Sequence, residues 1–230
     1  MTPFLLVPGL NCDPRVFSGV AQALWPFGPV SIANHQTGNR VEEIAEAVLA
    51  DAPPRFALLG FSMGGYVAFE ILRRAPERVL KLALLDTTAR PDTEESTANR
   101  RRLIALAQGG KYVEAVEQTF PKAVHPDNES NSDLHAVHRG MAEANGPTIF
   151  EQQQEAIINR PDSRPLLASI GVPTLIVVGE ADQITPPEAA QEMHEGISGS
   201  TLVRVPRAGH MALLEQPEPV HAALREWAEA

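Results

Sequence analysis

The amino-acid sequence predicts an α/β protein: a mostly parallel sheet of about six strands, helices on both faces, and a helical lid insertion. Three observations lead there. Short apolar runs alternate with amphipathic segments through short connections, the pattern of repeated strand–helix–strand units. The apolar runs are continuous rather than interleaved with polar residues, as strands buried on both sides require. One long stretch, Thr87 to Pro165, breaks the alternation with helical segments alone. The expected organisation is a core of residues 1–86 and 166–230 with a helical cap of residues 87–165 inserted on the upper edge of the sheet. A chain of 230 residues suits one domain carrying such an insertion.

Each element has its local reason. Pro3 to Val7 is a buried strand stopped by Pro8-Gly9-Leu10-Asn11. Asp13-Pro14 starts a helix, aspartate as N-cap and proline in the first turn, with Val16, Phe17, Val20 and Leu24 inward until Pro26. Pro29 to Ala33 is a short strand, and Asn34 to Asn39 a polar loop. Val41 to Ala50 is a helix with Ile44, Ala45, Val48 and Leu49 on its apolar stripe, closed by Pro53-Pro54. Phe56 to Leu59 is a strand that leads into Gly60-Phe61-Ser62-Met63-Gly64-Gly65, and a helix follows to about Ala75. Val79 to Leu85 is the next strand and ends at Asp86.

The insertion carries helical patterns over Glu94 to Ala107, Tyr112 to Thr119, Ser132 to Ala144 and Ile149 to Ile158. Breaks fall at Gly109-Gly110, Pro121, Pro126, Gly146-Pro147 and Pro161. Alternation then resumes with a strand from Pro173 to Val178 and a helix opened by Pro186-Pro187 that runs to about Glu195. The last strand is Thr201 to Val205, and a closing helix buries Val220, Ala223, Leu224 and Trp227.

Composition narrows the function. A formal net charge of −10 argues against nucleic acid and anionic membrane as partners. Arg100-Arg101-Arg102 and the group Arg73, Arg74, Arg78 and Lys81 read as solvated helix faces. A single cysteine, Cys12, excludes a disulfide framework. The first eight residues have no basic lead and too short an apolar run for a signal peptide, and no run reaches transmembrane length. A cytoplasmic location is the expectation.

Three polar residues fall just past the carboxyl ends of expected parallel strands: Ser62, Asp182 and His210. In open α/β sheets ligands bind at that edge. Gly60-x-Ser62-x-Gly64 marks a turn tight enough to push a serine hydroxyl into the open, beside the first amides of a helix. A serine hydroxyl needs a base to take its proton, and imidazole suits that task near neutral pH. A carboxylate would orient the ring and stabilise the imidazolium. Either Asp182 or Asp86 could supply it, since both end strands. His135 and His138 share a helix face and hint at a metal, but lack carboxylate or cysteine companions at ligand spacing and read as surface histidines. Cys12 has no base predicted beside it and makes a poor alternative nucleophile.

The elbow Gly60 to Gly65, the segment Val178-Gly179-Glu180-Ala181-Asp182 with Pro186, and Gly209-His210 with Glu215-Gln216-Pro217 together resemble the α/β-hydrolase fold family, in particular its small, lid-bearing serine esterase-like members. The resemblance covers the chain outside the insertion. It implies Ser62 as nucleophile, His210 as base and Asp182 as the carboxylate, with Asp86 left to support the rim. It also implies an oxyanion hole from the amides of Met63 and Leu10, no metal or organic cofactor, and a small-molecule substrate. In the family the loop after the first strand usually carries His-Gly. Here it reads Pro8-Gly9-Leu10-Asn11, so the brace of that loop is missing from the sequence pattern. The early strands that often precede that loop are missing too, which shortens the expected sheet. The expected activity is carboxylesterase-like hydrolysis through an acyl-enzyme. The same residues would also serve a carbon–carbon bond hydrolase or lyase, a cofactor-free perhydrolase, or a ligand receptor on this fold.

Overall fold

In a computed structural model that describes residues 1–230, the six apolar runs pair as one parallel sheet. The strands are β1 (Phe4–Val7), β2 (Val30–Ile32), β3 (Phe56–Phe61), β4 (Val79–Leu85), β5 (Thr174–Gly179) and β6 (Thr201–Val205), in the order β2-β1-β3-β4-β5-β6. After β1 the chain lays β2 on one side and then crosses over to place β3 on the other. This reversal opens a crevice at the carboxyl ends of β1 and β3. Register keeps the strand tops level, with Val7 beside Gly60, Phe61 beside Leu85 and Leu85 beside Val177.

The helices are α1 (Ser18–Leu24), α2 (Val41–Asp51), α3 (Met63–Arg74), α4 (Glu94–Gln108), α5 (Tyr112–Glu117), α6 (Phe120–Ala123), α7 (Ser132–Ile158), α8 (Pro187–Gly196), α9 (Ala212–Glu215) and α10 (Pro217–Glu229). Strand side chains alternate between two cores. Leu5, Leu58, Leu82, Leu84, Ile176 and Val178 meet α2, α3 and α8. Phe4, Leu6, Leu59, Phe61, Leu85 and Val177 meet α1 and α10. Each large apolar side chain buried this way contributes about 1.5–3 kcal/mol. A smaller third core (Leu103, Ala107, Tyr112, Ala115, Val116, Ala142 and Phe150) lies within the helical block that follows β4. No helix is long and apolar enough to cross a membrane.

The structure departs from the sequence expectations in a few places. The helix expected over Tyr112 to Thr119 ends at Glu117, before the Pro121 break, and Pro121 then sits at the second position of an additional short helix, α6, where its missing N–H removes no hydrogen bond. The two helices expected around Gly146-Pro147 join as α7, kinked at Gly146, whose φ of 78° no helix permits. Arg74, Arg101 and Arg102 are exposed, as a solvated face requires, but several of the basic residues are also tied down. Arg73 and Arg74 pair with Glu70, and Arg78 donates to the carbonyls of Leu49, Ala52, Pro53 and Pro54. Arg100 joins Arg160 on the buried carboxylate of Asp92.

Candidate active site

β3 delivers the chain to Ser62, and α3 begins at the next residue. Ser62 has φ 52° and ψ −117°, a conformation that costs a non-glycine residue about 1–3 kcal/mol. The surroundings hold it there. Its N–H donates to Leu85 O at 2.9 Å, and its carbonyl accepts from the Thr87 hydroxyl at 2.7 Å and from Gly65 N at 2.9 Å. The flanking glycines are required by approach. A Cβ on Gly64 would lie 2.0 Å from the Val7 carbonyl oxygen, and one on Gly60 would lie 2.5 Å from the Gly64 carbonyl oxygen. The other non-glycine residues with positive φ, Asn11, Asp86 and Arg207, follow β1, β4 and β6. Backbone strain therefore gathers along the same rim of the sheet as Ser62.

His210 follows β6 and reaches back across the rim. The Ser62 hydroxyl donates to its Nε2 at 2.8 Å, and its Nδ1–H donates to Asp182 Oδ2 at 2.8 Å. The two bonds are consistent with one tautomer, because an Nδ1 that donates to a carboxylate leaves the Nε2 lone pair facing the serine. Asp182 is held in turn: Oδ1 accepts from the amides of Ile184 and Thr185, and Oδ2 from the Thr185 hydroxyl. It both caps a turn and faces the imidazole. The Phe61 ring packs on His210 at 5.6 Å between centroids. All three polar residues are buried. The geometry can move a proton from the serine oxygen to the imidazole and keep the resulting charge beside a carboxylate.

Gly9 presses on the elbow, with its Cβ position 3.1 Å from the Ser62 Cβ. The loop after β1 is thereby set against the serine. The Leu10 amide donates no backbone hydrogen bond, and Met63 is the first residue of α3, where an N–H has no intrahelical carbonyl to meet. The brace absent from the local sequence comes from elsewhere in the chain. His35 Nε2–H donates to Gly9 O at 2.9 Å, and Asn11 N donates to Gln153 Oε1 at 2.9 Å. The Gln153 amide also reaches His35 O at 3.4 Å. Burial pushes the His35 imidazole down to about 4, so it remains a neutral donor. Sequence reasoning missed His35, Gln153 and Thr185. Of these only Thr185 carries a local signal, its three-residue spacing from a turn-capping aspartate.

Other candidates take different places. Asp86 does not bond His210; its Oδ1 accepts from Gly179 N at 2.9 Å and its Oδ2 is buried without a partner. Cys12 is buried, its thiol pushed up to about 12 by burial, and it donates weakly to Leu10 O. It is not a thiolate. His135 and His138 are half-buried rather than surface residues; both pack on Phe120, and His135 bonds Glu117 at 2.5 Å.

A model of the α/β hydrolase fold family matches residues 41–217, a span that contains Ser62, Asp182 and His210. Among curated relatives, pimeloyl-[acyl-carrier protein] methyl ester esterase of Neisseria meningitidis serogroup A is 28% identical over 242 aligned residues, covering 97% of this chain and 76% of that protein. The protein of the same name from Nitrosomonas europaea is 27% identical over 231 residues, with 93% and 90% covered. Among solved structures, that of a thermophilic esterase from Thermogutta terrifontis, with malate bound, matches at a TM-score of 0.90 and 30% identity, covering 100% of this chain and 90% of that one.

Proposed function

The chain belongs to the α/β hydrolase fold family, and from that premise we propose that it is a serine hydrolase that cleaves carboxylic esters of small molecules through an acyl-enzyme. The observation that carries the proposal is the relay from Ser62 Oγ through His210 to Asp182, two hydrogen bonds of 2.8 Å at the top of the sheet. Ser62 attacks the ester carbonyl as His210 Nε2 takes its proton. The oxygen that becomes negative is received by the amides of Leu10 and Met63, donors already in place before charge develops. His210 then gives its proton to the departing alkoxide, which leaves as the alcohol. In the second half, His210 accepts a proton from water, the resulting hydroxide attacks the acyl carbon, and Ser62 departs with that proton restored. Asp182 stabilises the imidazolium in both halves. These steps use only the chain's own groups.

On this reading residues 1–86 and 166–230 form the catalytic core and residues 87–165 a lid. Two contacts support the lid assignment: Gln153 holds the Asn11 amide, and the Tyr112 hydroxyl, which donates to Ala142 O at 2.6 Å, lies 3.2 Å from the Asn11 side-chain amide. The lid's apolar core would set substrate size and exclude water. The names of the relatives put methyl esters among the first substrates to test.

A fluorophosphonate probe tests the nucleophile. Wild type becomes labelled and Ser62→Ala does not; equal labelling of both removes Ser62 from the role. A panel of methyl and aryl esters, thioesters, lactones and vinylogous diketones tests the bond. Saturable ester turnover is expected. Turnover of the diketones alone would assign a carbon–carbon hydrolase, and ligand binding with no product a receptor.

A further inference from the structure

Glu215 ends α9, five residues after His210, and the relay described above makes no use of it. Yet its carboxylate is the meeting point of two parts of the molecule. Oε1 accepts from Gly209 N at 2.7 Å. Oε2 accepts from His125 N at 2.6 Å and from Asn128 Nδ2 at 2.8 Å. One oxygen thus holds the residue before the imidazole, and the other holds the segment between α6 and α7. The residue after the imidazole is tied to the same region, since Met211 N donates to Ala123 O at 3.0 Å. The two segments touch at the backbone: a Cβ on Gly209 would lie 2.4 Å from the Val124 carbonyl carbon.

His210 is therefore fixed on both flanks by contacts that end on residues 123–128. A carboxylate suits the position because it offers only acceptors, and all three groups that face it are donors. Hydrogen bonds to an ionised acceptor are shorter and roughly twice as strong as neutral ones. A glutamine cannot replace it. Its NH2 must face either Gly209 N–H or His125 N–H, donor against donor, so one of the two links is lost whichever way the amide turns.

We propose that Glu215 is a positioning residue for His210, seating the imidazole by bridging its loop to residues 125–128 of the helical block. The block is then part of the catalytic unit as well as its cover. The inference rests on the serine-hydrolase reading, and the test keeps the two apart. Full-length wild type, Glu215→Gln, Glu215→Ala and Asn128→Ala are compared for melting temperature, for the rate and final extent of fluorophosphonate labelling, and for ester kcat and KM. In Glu215→Gln the labelling rate and kcat fall about ten- to a hundredfold, with labelling still complete and KM within about twofold, the signature of a displaced catalytic group. Asn128→Ala, which keeps the Gly209 link, falls about three- to tenfold, the size of one hydrogen bond.

Labelling of Glu215→Gln at the wild-type rate overturns the proposal. So does incomplete labelling in which the reactive fraction keeps the wild-type rate, because that is a folding defect alone. If Glu215→Ala does not fold, Glu215→Gln and Asn128→Ala carry the test. Failure of wild type to react at all would instead sink the serine-hydrolase reading.

Discussion

Asp86 follows β4 directly and Asp182 lies just past β5, so two carboxyl groups reach the same rim from neighbouring strands. Both are buried, at 0% and 3% exposure. Their partners differ. Asp182 accepts two amides and the Thr185 hydroxyl in addition to the imidazole. Asp86 accepts one amide at hydrogen-bond distance, from Gly179, and its Oδ2 is buried without a hydrogen-bond partner. Burial raises the Asp86 pKa well above the ordinary 3.8, and the nearby charges of Asp182 and Glu215 push the same way against the backbone amides of Gly179 and Ala212. Burial and its charged neighbours favour the neutral form of Asp86, which ties β4 to β5, while Asp182 is the carboxyl group that faces histidine. The supply of donors separates them, since depth does not.

The largest effect expected from breaking this contrast is at Asp182. Asp182→Asn cannot accept from His210 through its NH2 side, which turns the imidazole to the wrong tautomer, and kcat should fall by about 10⁴-fold. Steady-state ester kinetics measure it, and an Asp182→Asn enzyme with near wild-type kcat would move the carboxylate role elsewhere.

His35 sharpens the point at intermediate size, as a buried imidazole whose pKa is pushed down to about 4 by burial. His35→Phe removes the brace on Gly9 and leaves the Leu10 amide in place but less well aimed. A fall of about tenfold in kcat is expected, short of the 10²–10³ for complete loss of one oxyanion donor. Because folding lowers the His35 pKa from 6.5 to about 4, the folded protein binds fewer protons in that window. His35 therefore costs stability progressively as pH falls from 6.5 towards 4. Urea midpoints should show a smaller acid-side loss in His35→Phe than in wild type. An unchanged slope would mean that His35 is charged when folded.

The smallest effect on activity is expected at Asp86. Asp86→Asn preserves a neutral side chain and the acceptor for Gly179 N, and asparagine tolerates the positive φ, so kcat should stay within about twofold. Its signature lies in stability. Folding raises the Asp86 pKa, so wild-type stability is lost as pH rises from 3.8 through the folded pKa, while the unfolded chain gives up a proton that the folded chain keeps. Asp86→Asn removes that loss, and its stability relative to wild type should grow from pH 4 to pH 8. A constant difference across that range would show that Asp86 is ionised in the native state.

Much of this architecture was legible because its causes are local. Continuous apolar runs such as Leu82 to Leu85 mark strands covered on both faces, and the cores on the two sides of the sheet confirm the covering. The elbow was legible because a strained serine needs small residues at fixed offsets. The groups that steady the site were not legible. His35 meets Gly9 across 26 residues, Gln153 meets Asn11 across 142, and Glu215 meets His125 across 90. No periodicity or turn chemistry near those residues records such a pairing.

The sequence by itself determined the α/β alternation, the parallel sheet and the order Ser62, Asp182, His210 at the ends of its strands. The family resemblance already pointed to Asp182 over Asp86; only the tertiary structure decided which donors each aspartate meets, what braces the Leu10 loop and what seats His210. The reason is physical. Strand and turn preferences act over a few residues, whereas the charge of a buried carboxyl depends on donors that arrive from anywhere in the chain once it has folded.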